Sequence, residues 1–188
     1  MPPKVKVVKE DILNAAFKIV QREGISNLNA RCIAKELNCS TQPIFSQYSN
    51  MDELKQELYS RAQRYYDQYI ESHIKGIEDF SGIGMAYVSF AINEKNLFAL
   101  LYLSNNYIEN DIRTIFQDDD NVELTRSIAQ GAGITFDQAR DLYMNIWTYT
   151  HGLAVLVSLG NMHLTDDEIH EKLSSAFRAF LINIRGDN

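Results

Sequence analysis

The chain has 188 residues, 45% hydrophobic and 23% charged, and 18 Lys/Arg against 25 Asp/Glu give a net charge of −7. That is an ordinary soluble composition; no apolar run approaches the roughly 18 residues of a membrane span and nothing resembles a signal peptide, so a cytoplasmic protein with no membrane partner is expected. Three prolines, nine glycines and no sustained Val/Thr alternation bounded by turns point to an all-α fold, at a length that suits one large domain or two small ones.

The first helix is predicted from about Val8 to Glu23, with Ile12, Leu13, Ala16, Phe17 and Val20 on its apolar face and Gly24 stopping it. Lys4, Lys6 and Lys9 precede or begin it as a basic arm, equally readable as a phosphate-neutralising extension or a solubilising tail. Asn29 can cap a short second helix on which Ile33, Ala34 and Leu37 form one inward stripe. Asn38 tolerates the left-handed conformation that often ends a helix. Ser40 is expected to cap a third helix, which must start close by, because Pro43 fits only a first turn. Ile44 and Phe45 should point to the core, with Tyr48 one turn on. Asn50 and Glu53 make a capping box that starts a long fourth helix at Met51.

A short helix, a tight turn and a second short helix outline a helix-turn-helix, whose second helix enters the major groove of DNA. The outer face suits that role. Gln42 can pair bidentately with adenine, Thr41 can donate or accept, and Pro43 offers apolar surface to a thymine methyl. Ser46, Gln47 and Tyr48 are donors suited to phosphate oxygens, and Arg31 can reach the DNA backbone. DNA contacts are therefore expected from Arg31, Ser40, Thr41, Gln42, Pro43, Ser46, Gln47 and Tyr48. A helical hairpin with a merely solvated outer face remains the bland alternative. Charge distribution favours DNA: residues 1–66 hold ten Lys/Arg against seven Asp/Glu, or +3, and residues 67–188 hold eight against eighteen, or −10.

From about Val8 to Leu58 the chain resembles the DNA-binding domain of the tetracycline-repressor (TetR-type) family of bacterial regulators. Ile33-Ala34 matches that family's Ile-Ala, and Asn38-Cys39-Ser40 stands where it usually has Gly-Val-Ser. Ile44-Phe45 replaces its Leu-Tyr, and Tyr48 its Phe. Asn50-Met51-Asp52-Glu53-Leu54 is similar to its Ser-Lys-Glu-x-Leu. The departures are Met51, where the family commonly carries a phosphate-contacting lysine, and Phe45, which lacks a tyrosine's hydroxyl.

The fourth helix is predicted to continue toward Ile77. A domain boundary is expected inside it, giving a DNA-binding domain over 1–64 and a larger helical bundle over 65–188. Gly76, Gly82 and Gly84 should mark the next break. Helices are then predicted over Met85–Glu94, Asn96–Ser104 and Glu109–Phe116, followed by an acidic loop at 117–121 and a helix over Val122–Ala132. Two long helices close the chain, Phe136–Gly160 and one beginning at Thr165, with Glu168 in capping-box position, that runs to about Arg185. The apolar stretch Leu153–Leu159 is too short for a membrane and reads as a buried part of the first of these. Small residues Gly152, Ala154 and Ser158 and a wide apolar stripe on the last helix would let the pair meet a second copy in a four-helix bundle. In the family this chain resembles, the last two helices typically form the dimer interface.

Trp147-Thr-Tyr-Thr-His151-Gly152 is similar to a Trp…His-Gly signature of one C-terminal subgroup of that family. Trp147 and His151 share a helix face, as core residues or as the wall of an effector pocket. Tyr66, Tyr69, Phe98, Tyr102, Tyr107 and Phe116 could line an apolar cavity with polar tips, or simply be core. Tyr66, Phe98, Tyr102, Phe116, Trp147 and His151 are the expected effector residues, and the acidic balance favours a neutral or cationic small molecule. Cys32 and Cys39 have no histidine nearby and read as small buried hydrophobes rather than a metal or redox site.

No nucleophile–base pair, paired catalytic carboxylates, phosphate loop or metal cluster is evident, so neither an enzyme nor a cofactor is expected. The resemblance implies a homodimeric transcription regulator, released from a palindromic operator by a small-molecule effector. The alternatives are an effector-independent DNA-binding protein and a helical ligand-binding protein with weakened DNA binding.

Overall fold

The computed structural model describes residues 7–75, 80–104 and 119–186, and every regular element among them is a helix. These are α1 (Lys9–Glu23), a 3-10 turn (Ile25–Asn27), α2 (Ala30–Glu36), α3 (Gln42–Gln47), α4 (Met51–His73), α5 (Phe80–Asn93), α6 (Lys95–Phe98) running into a π-turn (Ala99–Leu103), α7 (Asp119–Ala132), α8 (Phe136–Ser158) and α9 (Asp166–Arg185). The expected Glu109–Phe116 helix lies outside the described residues, as do Lys4, Lys6, Tyr107 and Phe116. No described helix is long and apolar enough to cross a membrane.

The chain packs as two compact units, Met1–Tyr66 with Glu94–Ser104, and Asp67–Asn93 with Asn105–Asn188. The expected division at residue 64 left Glu94–Ser104 with the C-terminal region, whereas this segment packs on α1. Three polar contacts hold it there. The Gln21 side-chain amide donates to both Glu94 carboxylate oxygens at 3.0 Å. The Tyr65 hydroxyl donates to the same carboxylate at 2.8 Å, and the Asn96 amide donates to the Gln21 carbonyl at 2.9 Å. Leu97, Phe98 and Leu101 are fully buried there, as are Ile12, Ala16, Val20, Ile33, Ile44 and Leu58 of the same unit.

In the second unit α5 packs on α8 and α9, and α8 also on α7. The core between α7 and α8 is Leu124, Ile128, Ala139, Leu142, Tyr143 and Ile146, covered by Phe80 and by Phe177 and Phe180 of α9. Tyr143 keeps its hydroxyl satisfied by donating to Asn121 at 2.7 Å, and burial raises its pKa to about 12. Gly82 and Gly84, expected at a break, lie inside α5. Close helix contact explains Gly84: a Cβ there would meet Leu173 Cδ1 of α9 at 3.2 Å. Asp119, Asp120 and Asn121, expected in a loop, belong to the first turn of α7.

Local capping signals mostly land where the sequence puts them. Asn29 Oδ1 accepts from the N–H groups of Arg31 and Cys32 at 3.1 and 3.0 Å. Thr165 and Glu168 form the reciprocal box that starts α9. The box at α4 is offset by one residue. Asn50 Oδ1 accepts from Asp52 and Glu53 N–H groups at 3.0 and 2.9 Å, but Glu53 reaches back to the N–H and hydroxyl of Ser49. Those two donors hold the Glu53 carboxyl below its ordinary range.

Candidate nucleic-acid interface

The turn between α2 and α3 is set by one residue. Asn38 is the sole described non-glycine with positive φ, at 51°. The Cys39 N–H then reaches back to the Ala34 carbonyl at 2.9 Å and the Asn38 N–H to that of Lys35 at 3.1 Å, which ends α2 cleanly. The chain re-enters a helix at Gln42, with Thr41 as the flanking residue and no side-chain cap. The expected cap at Ser40 is therefore one residue off, and Ser40 is left exposed on the turn.

The six-residue α3 is too short to persist without tertiary anchors. Ile44, fully buried, supplies one and Tyr48, 2% exposed, the other. The Tyr48 hydroxyl donates to Glu57 of α4 at 3.0 Å, and the Lys9 ammonium sits 4.7 Å from the Tyr48 ring centroid while pairing with the same carboxylate. Lys9 is thus a brace at the start of α1 rather than part of a free basic arm. Its hydrogen bond, more than that of Tyr48, keeps the Glu57 carboxyl below its ordinary range. Burial, helped by Glu57, pushes the Tyr48 phenol well above its own.

The expected contact residues separate into distinct groups. Arg31, Ser40, Gln42, Ser46 and Gln47 are exposed, and Thr41 and Pro43 are half-buried. Tyr48 is removed from the set, because its ring is core and its proton is committed to Glu57. Ser46 also changes role. Its hydroxyl donates to the Pro43 carbonyl at 2.7 Å, so its proton is spent inside the helix rather than offered to phosphate. Phe45, expected in the core, is 52% exposed. Each helical residue turns about 100°, so Ile44 inward carries Phe45 outward. That rotation was the signal in the sequence that could have placed it.

The expected effector residues divide between the units. In the first, Tyr66 and Tyr102 meet edge-to-face at 5.6 Å, with Phe98 5.2 Å from Tyr102. Phe98 is fully buried and fills core. In the second, Trp147 and His151 stack with ring centroids 4.9 Å apart and planes 5° from parallel. Tyr87 of α5, absent from the expected set, holds its hydroxyl 2.9 Å from His151 Nδ1. Burial pushes the His151 pKa down, favouring a neutral ring. Neither a run of apolar residues nor a spacing rule marks Tyr87, which meets His151 only through α5–α8 packing. No group of three or more metal-ligating side chains occurs among the described residues.

Residues 80–180 match the family described as tetracyclin repressor-like, C-terminal domain. Over its whole length the chain is 24% identical to the HTH-type transcriptional regulator YobS of Bacillus subtilis (strain 168), covering 98% of that protein. It superposes on a TetR-like transcriptional regulator from Rhodococcus sp. RHA1 with a TM-score of 0.64, at 14% identity and full coverage of both chains. A TetR family member from Streptomyces coelicolor A3 gives a TM-score of 0.57 at 16% identity, with 89% of this chain and 96% of that one covered.

Proposed function

The chain belongs to the tetracyclin repressor-like family and is a transcriptional regulator of that type, and from this premise we propose that it is a homodimeric repressor, cytoplasmic like the DNA it binds, that a small molecule releases from a palindromic operator. One observation carries the DNA-binding part. The α3 helix is anchored from beneath by Ile44 and Tyr48 and turns Gln42, Phe45 and Gln47 to solvent. A six-residue helix so held, with an unpaired polar and apolar outer surface, suits insertion in a major groove. Arg31, Ser40 and Thr41 flank it and Pro43 lies in its first turn; the first two suit phosphate, and Thr41 and Pro43 suit bases.

The dimer reading is supported by the outer surfaces of α8 and α9. Tyr149, Gly152 and Leu156 on α8, with Leu159 just past its end, follow a 3-4-3 spacing, and all are exposed. Ser175, Ala179 and Ile182 follow a 4-3 spacing on α9, also exposed. Small residues beside large apolar ones suit a close-packed helical interface between two copies. The effector reading is supported by the half-buried Trp147–His151 pair with the buried Tyr87 beside it, an apolar wall carrying a few polar atoms. An effector acts by preferring a conformer whose two recognition helices no longer match half-sites about 34–36 Å apart. Helix α4 belongs to both units and is the element through which such a preference would pass.

The test is a polarization titration of the purified protein against its own upstream intergenic DNA at two salt concentrations, with a scrambled duplex as control. Sequence-selective binding that weakens with salt is expected. Equal affinity for both duplexes would remove the regulator's proposed operator, and the same assay then screens small molecules for release.

A further inference from the structure

We propose that Gln42 and Phe45 act as a single reader of an A·T-containing step in the operator, with Phe45 recognising a thymine by its C5 methyl group; this rests on the DNA-binding reading of α3. Phe45 is 52% exposed, although aromatic side chains are among the largest apolar groups a helix can bury. Its exposure is imposed by Ile44 and Tyr48, which are 0% and 2% exposed and fix the rotation of the helix. Gln42 lies three residues earlier and is also exposed, so the two share a surface with Cβ atoms about 5–6 Å apart. Successive bases on one strand rise about 3.4 Å, so two such side chains reach neighbouring base pairs.

Their chemistry divides the work. The Gln42 amide matches the adenine N6/N7 edge, and an exposed ring matches the methyl that distinguishes thymine in the major groove. Ser46, the other residue central to the outer face, has its proton committed to the Pro43 carbonyl and does not compete as a donor. Phe45 has no hydroxyl to give to phosphate, so its contribution is apolar contact. The occupant that fits an isolated exposed ring beside an amide on a short helix is therefore a thymine methyl, not another protein's core.

The experiment begins by selecting preferred duplexes from a random pool with the full-length protein. Each thymine of the selected sequence is then replaced in turn by deoxyuridine, which removes only the methyl. Wild type, Phe45→Ala and Phe45→Tyr are titrated against every duplex. Wild type is expected to lose about fourfold in affinity at one thymine per half-site, the weight of one buried methyl group. Phe45→Ala should lose that sensitivity, and Phe45→Tyr should keep it because the ring remains. Circular dichroism and thermal unfolding of Phe45→Ala confirm an intact fold, expected because the side chain is exposed. If wild type selects a sequence but no deoxyuridine position separates it from Phe45→Ala, the operator reading stands and the Phe45 assignment is overturned. If selection yields no preferred sequence, both readings fall together.

Discussion

The Tyr48 hydroxyl donates to the Glu57 carboxylate at 3.0 Å, and Lys9 completes the group from α1. Three helices thus converge on the residue that ends α3. Tyr48→Phe should keep the ring in the core and lose one hydrogen bond, costing about 1 kcal/mol. Tyr48→Ala should cost about 3–5 kcal/mol by leaving a cavity, and unlike Tyr48→Phe it should abolish DNA binding. Urea unfolding and polarization titration of both variants measure the two effects. Equal damage from both substitutions would show that the hydroxyl, not the ring, anchors the helix.

The same group sets a pH dependence. Lys9 first, and Tyr48 less, hold the Glu57 carboxyl below its ordinary 4.5 in the folded chain. The unfolded chain therefore binds that proton more readily, and stability rises with pH wherever the two states differ. The contribution is complete above about pH 4.5 and is lost as the pH falls through the folded-state value. Solvent screens this partly exposed pair, so the effect is small. Glu57→Gln should flatten the acid limb of the stability curve and leave its slope near neutrality unchanged, as read by urea midpoints across pH 3–7.

Base and backbone contacts should part company in titrations. Gln42→Ala is expected to relax preference at one operator position by about 1–3 kcal/mol. Arg31→Ala should weaken all duplexes alike and reduce the log–log salt slope by about 1. A Gln42→Ala protein with an unaltered preference profile would displace Gln42 from the base-reading surface.

Elements defined by their own neighbours were legible in the sequence. Asn29, Asn38 and the Thr165–Glu168 box act within four residues, and each is found in the expected role. Features set by distant packing were not. Gly84 reads as a break until Leu173 is seen to need the space. Glu94 gives no local sign that it will meet Gln21 and Tyr65. On α3 the exposure of Gln42 and Gln47 was legible because polarity at a helix face needs no partner to interpret. Phe45 reads as core or contact alike unless the 100° step from Ile44 is followed, and the Tyr48 hydroxyl reads as a phosphate donor until Glu57 is seen to take it.

The single tryptophan makes the second unit observable. Trp147 lies face to face with His151 at 4.9 Å. Burial holds the His151 pKa below its ordinary 6.5, so stability from the neutral ring is full above pH 6.5 and declines as the pH falls through the folded-state value. An imidazolium in face contact quenches indole emission more than a neutral ring does. Trp147 fluorescence should therefore drop on acidification with a midpoint below 6.5, and His151→Gln should remove the transition. A midpoint above 6.5 would mean that a negative partner, not burial, governs the histidine. An effector seated on this pair should shift the midpoint further.

Two glycines separate intrinsic helix stability from the interface. Gly131 in α7 and Gly152 in α8 both lie within helices, and a Cβ at either would meet nothing within 4 Å in one protomer. Alanine at an open helical position is favoured over glycine by up to about 1 kcal/mol. Gly131→Ala should raise stability by up to that amount and leave association unchanged. Gly152 lies between Tyr149 and Leu156 on the proposed dimer surface, so Gly152→Leu should fill space that a second copy needs. Its dimer dissociation constant, measured by sedimentation, should rise at least tenfold, while a protomer alone would tolerate the change. Because folding and association are linked in a dimer, its thermal midpoint should also become more dependent on concentration. An unchanged dissociation constant for Gly152→Leu would move the interface off this part of α8.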